Sequence, residues 1–160
     1  MRIKTLVFED FVNYQKPSLY IGTAFCGGKC CIEAGIPLST CHNDTWRGMP
    51  TLTISDDVII HKYFENDITK AICFAGLEPF EQFEEIQHFI WRLRVVYNCD
   101  DDIVIYTGYQ KEEIKDQIQE LSKFSNIIVK YGRYVPGQSP HYDNILGVYL
   151  ASDNQYAERI

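Results

Sequence analysis

The chain has 160 residues, 46% of them hydrophobic and 14% aromatic, and a formal net charge of −7. That length suits one domain, residues 1–160, with a single buried core, and the composition is far from that of a disordered chain. The acidic balance, with no cluster of Lys and Arg, speaks against nucleic-acid or anionic-membrane partners, because phosphate binding needs a positive footprint.

Residues 3–8 (IKTLVF) and 18–23 (SLYIGT) read as strands, rich in branched and aromatic side chains. Arg2 and Lys4 precede only a short apolar run that Glu9 and Asp10 end, which is not a signal peptide. No stretch approaches the roughly 20 apolar residues of a membrane span. A cytoplasmic chain with reduced thiols is expected. The segment FCGGKCCIEAGIPLSTCHN (25–43) follows, and Gly27, Gly28, Gly35 and Pro37 mark it as irregular loop. A short helix is predicted over 55–66, where Ser55 and two acids give a start signal. Residues 70–76 (KAICFAG) form a near-continuous apolar run, as in a strand covered on both faces. Phe80, Phe83, Ile86, Ile90, Leu93 and Tyr97 then recur at spacings of three and four, one stripe of a helix with Pro79 in its first turn. Residues 102–108 are the next strand. Ile114, Ile118, Leu121 and Phe124 line a helix over 111–124. Two further strands are predicted at 126–132 and 145–150, separated by a loop at 133–144.

Alternating strands and helices predict an α/β domain with a mostly parallel sheet. Ligands in such sheets gather at the C-terminal ends of strands. Three stretches fall there: the cysteine segment, GLEP (76–79) and YTG (106–108).

The cysteines narrow the chemistry. Cys26 and Cys30 are separated by three residues, and Cys41 follows Cys30 after ten more. A reducing compartment disfavours disulfides. Structural zinc wants two closely paired knuckles, but only one pair exists here, and Cys41 has only His42 beside it. Adjacent residues such as Cys30 and Cys31 rarely reach one metal together. An iron–sulfur cluster needs only thiolates, and three of them leave one iron without a protein ligand. Spacing alone leaves open a cluster, zinc, or unligated buried thiols. Plain structural roles suit other residues: Cys73 as core, Cys99 as an incidental thiol, Asp100–Asp102 as a solvated turn. Glu78 has such a reading too, as an acid in a first helical turn.

Taken together, these stretches resemble the radical S-adenosylmethionine superfamily, and especially the activating proteins of anaerobic ribonucleoside-triphosphate reductases. Cys26 and Cys30 match the family's first cysteine pair, and Cys41 in CHN matches the third. Gly76, Glu78 and Pro79 in AGLEP match a glycine-glycine-glutamate-proline stretch at a strand end. YTGY (106–109) and LASDNQ (150–155) are similar to a third-strand segment and a C-terminal end of these activators. The resemblance covers nearly the full length.

It implies that Cys26, Cys30 and Cys41 hold a 4Fe–4S cluster whose free iron takes S-adenosyl-L-methionine. Gly76, Leu77, Glu78, Thr40, His42 and Thr107 would contact that cofactor, with Glu78 accepting from its amino group. Reductive cleavage would yield a 5′-deoxyadenosyl radical that activates a glycyl-radical protein such as an anaerobic ribonucleotide reductase. The electron would come from a donor such as flavodoxin or ferredoxin. The implied fold is a compact, incomplete β/α barrel, since five or six strands are too few to close eight. Departures are visible. The family usually places two residues, not ten, between its second and third cysteines. Cys31 in the insert competes with Cys30, although Cys30 keeps the three-residue gap. Thr40 stands where an aromatic is usual, and Leu77 where a second glycine is. The contrasting reading is a non-catalytic iron–sulfur or zinc protein that docks to a partner.

Overall fold

In this computed structural model, which describes residues 1–160, nine strands and five α-helices form along the chain. The strands are β1 (Arg2–Asp10), β2 (Ser18–Thr23), β3 (Leu52–Thr53), β4 (Ala71–Gly76), β5 (Asp102–Tyr106), β6 (Ile127–Tyr131), β7 (His141–Asp143), β8 (Val148–Leu150) and β9 (Tyr156–Arg159). The helices are α1 (Lys29–Ala34), α2 (Asp44–Arg47), α3 (Asp56–Phe64), α4 (Phe83–Trp91) and α5 (Lys115–Leu121). Seven strands make one sheet in the order β3-β1-β2-β4-β5-β6-β9, and β7 pairs with β8 in a separate hairpin. The centre, β2-β4-β5-β6, is parallel, while β1, β3 and β9 join antiparallel at the two edges. The α/β class follows. No helix is long and apolar enough to cross a membrane.

The two faces are covered differently. Helices α3, α4 and α5 all lie on one face, as right-handed crossovers between neighbouring parallel strands require. There Ile59, Ile60, Ile86, Phe89, Ile90 and Leu121 meet Leu19, Ile21, Phe74 and Ile105 in one 22-residue core. Phe74 and Phe89, both fully buried, pack edge to face with centroids 5.5 Å apart. The opposite face carries a smaller core in which Tyr20, Cys73, Ala75 and Val104 are covered by Tyr14, Trp46, Leu146 and Leu150. This explains the continuous apolar run of β4: its first five residues are buried, alternately against one cover and the other. Cys73 is among them, as a core thiol.

Several local expectations change. The helix expected from Pro79 to Tyr97 divides into a 3₁₀ turn (Pro79–Gln82), α4, and a π-helical turn (Arg92–Val96). Its C-terminal end is caught by Arg94, whose guanidinium donates to the carbonyls of Cys99, Asp101 and Ser125. The cysteine segment is not all loop, because α1 forms between Gly28 and Gly35. The predicted strand 145–150 shrinks to β8 and leaves the main sheet. The place beside β6 goes to β9, whose YAER sequence buries only Ala157 and offers no apolar alternation to read. Strand β7 forms inside the predicted loop 133–144.

Candidate metal centre

The C-terminal ends of β2, β4, β5 and β6 point the same way, and the cysteine segment lies over them. The chain leaves β2 at Thr23, whose hydroxyl donates to the Ala75 carbonyl at 3.0 Å. The next residues are tied to the turn after β4. Ala24 N–H donates to Gln82 Oε1 (2.7 Å), Glu78 N–H to the Phe25 carbonyl (2.7 Å), and Gly27 N–H to both oxygens of Glu81 (2.7 and 2.8 Å). Cys26 is thereby fixed, and α1 carries Cys30 and Cys31 one turn further on.

Two devices hold the rest. Lys29 and Glu33 of α1 join Glu113 and Arg133 in an ion-pair network, with Arg133 bidentate on Glu113 at 2.8 Å. After Cys41, helix α2 drives the Trp46 ring into a slot above the sheet. A Cβ on Gly22 would stand 2.7 Å from that ring, and one on Gly76 2.5 Å. Gly76 has φ of +89°, so it is also the residue suited to this backbone. The Asn43 side chain donates to the Gly76 carbonyl, locking the turn after Cys41 onto the end of β4.

The result is a cavity of about 270 Å³ that Cys26, Cys30 and Cys41 line together. Gly76, Leu77, Glu78 and Thr107 line it too. Thr40 and His42 do not; both are exposed, and His42 meets the Tyr134 ring edge to face at 6.2 Å. Cys31 is 5% exposed, absent from the lining, and turned toward Cys41. Cys73 and Cys99 are buried elsewhere. A larger groove of about 600 Å³ lies away from the cysteines. Its polar groups are mostly paired, the Met1 amino group and His88 with Asp56, Arg2 with Glu85 and Arg92 with Asp57.

Glu78 is buried and accepts three hydrogen bonds, which leaves a position on Oε2 open. Its Oε1 accepts from the Thr107 hydroxyl (2.7 Å) and Phe80 N–H (3.1 Å), and its Oε2 from Gly108 N–H (2.9 Å). Burial still raises its pKa above the usual carboxylate value, against those hydrogen bonds. Across the cavity stands Lys130, 7% exposed, whose Nζ has one hydrogen bond, to the Gly132 carbonyl at 2.9 Å. Burial lowers its pKa to about 8, partly opposed by the charge of Glu78. Burial also raises the Cys26 thiol, and lifts Cys30 to about 11 with help from Glu78. Both shifts favour the protonated thiol, whose proton metal binding must displace.

The residues fit a cluster. Three cysteines line one cavity. No three of the chain's Cys, His, Asp or Glu side chains meet closely enough for a single ion, whereas a cluster takes its thiolates from separate corners. Gly108 makes room for Cys30, since a Cβ there would stand 2.5 Å from its Sγ. Cys26, Cys30 and Cys41 would hold the group, and Glu78 with Lys130 would present opposite charges to whatever binds beside it. Lys130 and Arg47 were not legible as site residues in the sequence, whereas Gly108 falls in the YTG stretch expected at the site. For Lys130 a signal existed: one charge inside the apolar run IIVKY, at the C-terminal end of a strand.

Comparison with known proteins bears on the same residues. A family model described as a 4Fe-4S single cluster domain matches residues 37–155, which include Cys41, Glu78, Thr107 and Lys130 and begin after Cys30. No curated protein and no solved structure matches the chain. The match spans well over half of the 160 residues, and its description agrees with a cavity walled by three cysteines. The chain belongs to the 4Fe-4S single cluster domain family.

Proposed function

We propose that this protein is a radical S-adenosylmethionine enzyme that activates a glycyl-radical partner such as an anaerobic ribonucleotide reductase. One observation carries the reading: the three cysteines share their cavity with a buried carboxylate and a buried, under-partnered ammonium. An amino-acid-like ligand held beside such a cluster would present its own amino and carboxylate groups to such a wall. Glu78 accepts a hydrogen bond from the ligand's amino group, and Lys130 donates to its carboxylate. Gly76, Leu77 and Thr107 line the cavity beside the methionyl part. When bound, the cluster supplies the electron for reductive cleavage of S-adenosylmethionine. The protein's share is to orient the cofactor and keep water from it. The sheet, read as a partial barrel in one domain over residues 1–160, leaves a side that the partner covers. Flavodoxin or ferredoxin delivers the electron in the cytoplasm.

Anaerobic reconstitution with iron and sulfide tests this. About four irons per chain are expected, lost in Cys26→Ala, Cys30→Ala and Cys41→Ala and kept in Cys31→Ala. Dithionite reduction with S-adenosylmethionine should release 5′-deoxyadenosine. Glu78→Gln and Lys130→Met should keep the iron and bind the cofactor about 10- to 100-fold more weakly, since a charge-assisted hydrogen bond contributes about 1.5–3 kcal/mol. Stoichiometric zinc with no iron, or no 5′-deoxyadenosine even with a partner present, would sink the proposal.

A further inference from the structure

Arg47 closes α2, six residues beyond Cys41, and its side chain turns back to the first cysteine. Nη1 donates to the Cys26 carbonyl at 2.6 Å, and Nη2 lies 3.5 Å from Cys26 Sγ. The guanidinium is about one-fifth exposed, and its charge is also felt at Cys41. Asp44, the nearest carboxylate, reaches only Nε, at 3.5 Å. Nε itself is buried without a good hydrogen bond. The backbone of α2 is held as well: Lys4 Nζ donates to the carbonyls of Arg47 (3.3 Å) and Met49 (2.6 Å), and Trp46 occupies the glycine slot. A guanidinium cannot lose its charge at ordinary pH. A fixed positive charge, carried on a rigid element, therefore rests against the sulfur of one cysteine and near another.

We infer that Arg47 is a positioning residue for the cluster: it orients Cys26 and, by donating to its sulfur, sets the cluster's reduction potential higher than the three thiolates alone would give. The physical reason is that reduction adds one negative charge to the group. A nearby cation and an N–H···S hydrogen bond both stabilise the more negative state, and these are among the levers that fix iron–sulfur potentials. The inference rests on Cys26 and Cys41 being cluster ligands. Asp44 works in the opposite direction, since its carboxylate offsets part of the Arg47 charge.

The test uses reconstituted protein, with iron content measured first and the midpoint potential then found by dithionite titration followed by electron paramagnetic resonance. Arg47→Gln should retain iron, and its reduced-to-oxidised ratio at a fixed potential should fall about tenfold, a shift of about 59 mV downward for one electron. Arg47→Lys should recover part of that shift, because it restores charge without the two-pronged geometry. Asp44→Asn should move the potential upward, because it removes the carboxylate that offsets Arg47 while leaving the guanidinium and every cysteine in place. A role confined to holding the fold would change iron content or thermal stability in Arg47→Gln and leave the potential of loaded Arg47→Lys and Asp44→Asn at the wild-type value; that outcome would overturn the inference. If Arg47→Gln takes no iron, Asp44→Asn and Arg47→Lys decide alone. Wild-type protein that takes no iron would overturn the cluster assignment, and this inference with it. A loaded cluster whose potential ignores all three substitutions would overturn this inference only.

Discussion

Replacing Gly76 by Ala should loosen the cysteine loop through two separable costs. The first is conformational: Gly76 sits at φ +89°, and an L side chain in the left-handed region costs about 1–2 kcal/mol. The second is steric. The new Cβ would lie 2.5 and 2.8 Å from two Trp46 ring atoms, and 3.3 Å from the Gly22 Cα. The ring must retreat by about an ångström to regain ordinary contact near 3.5–4 Å. It is flanked by Gly22 on β2 and by the Tyr20 ring, packed edge-on at 5.8 Å, so retreat means leaving the slot. Overpacking of this kind costs about 1–3 kcal/mol. The sum is about 2–5 kcal/mol, or a fall in Tm of about 4–20 °C at 2–4 °C per kcal/mol for a chain of this size. Gly137 supplies the control: its φ is +85°, but nothing lies within 4 Å of an added Cβ. Gly137→Ala should therefore show the conformational cost alone. Thermal unfolding by circular dichroism measures both, and Trp46→Ala combined with Gly76→Ala should remove the steric part, so that the two losses are less than additive. Equal losses for Gly76→Ala and Gly137→Ala would refute the wedge described for Trp46.

Two other outcomes are expected. Asp102 is buried and accepts from Tyr14 (2.9 Å), Lys16 (2.5 Å) and Arg159 (2.7 Å), tying the 11–17 loop and β9 to β5. Burial pushes its carboxyl up, but these partners together hold it below the usual value. Its contribution is thus complete above the unfolded carboxylate pKa of about 3.9 and is lost as pH falls through the lower native value. Asp102→Asn should cost about 1–2 kcal/mol at pH 7, discounted because both cations are about half exposed, and should flatten the acid limb of stability against pH. Stripping iron with a chelator should leave the far-ultraviolet circular dichroism nearly unchanged, with faster amide exchange confined to residues 26–47, because the 22-residue core contains none of the three lining cysteines.

What the sequence revealed follows what sequence patterns encode. The parallel centre was legible because β4, β5 and β6 are apolar runs and the helices between them show stripes at spacings of three and four. Strand β9 was not, because its register is set by β6 rather than by any alternation of its own. Cys26, Cys30 and Cys41 were legible as a group, and so was Glu78 at a strand end. The positions of Arg47 and Lys130 were not, because Lys130 is brought to the cavity by β6, far from the cysteines in the chain, and Arg47 reaches Cys26 by turning back from α2. Thr40 and His42 lie next to Cys41 in the chain yet outside the cavity, since the turn at Cys41 aims one side chain inward and its neighbours out.

The glycine slot that receives Trp46 also orders the protein's assembly. Its two walls, Gly22 and Gly76, belong to strands that pair in parallel, with Thr23 opposite Gly76, and the entire cysteine segment lies within the connection that this pairing closes. No slot exists until β2 and β4 have met, and nothing gathers Cys41 toward Cys26 and Cys30 until the slot is filled. Closing so long a loop is repaid by the apolar core beneath it, not by metal. The frame is thus held by its apolar core and not by iron, unlike a small finger domain, whose zinc brings the chain together in the first place.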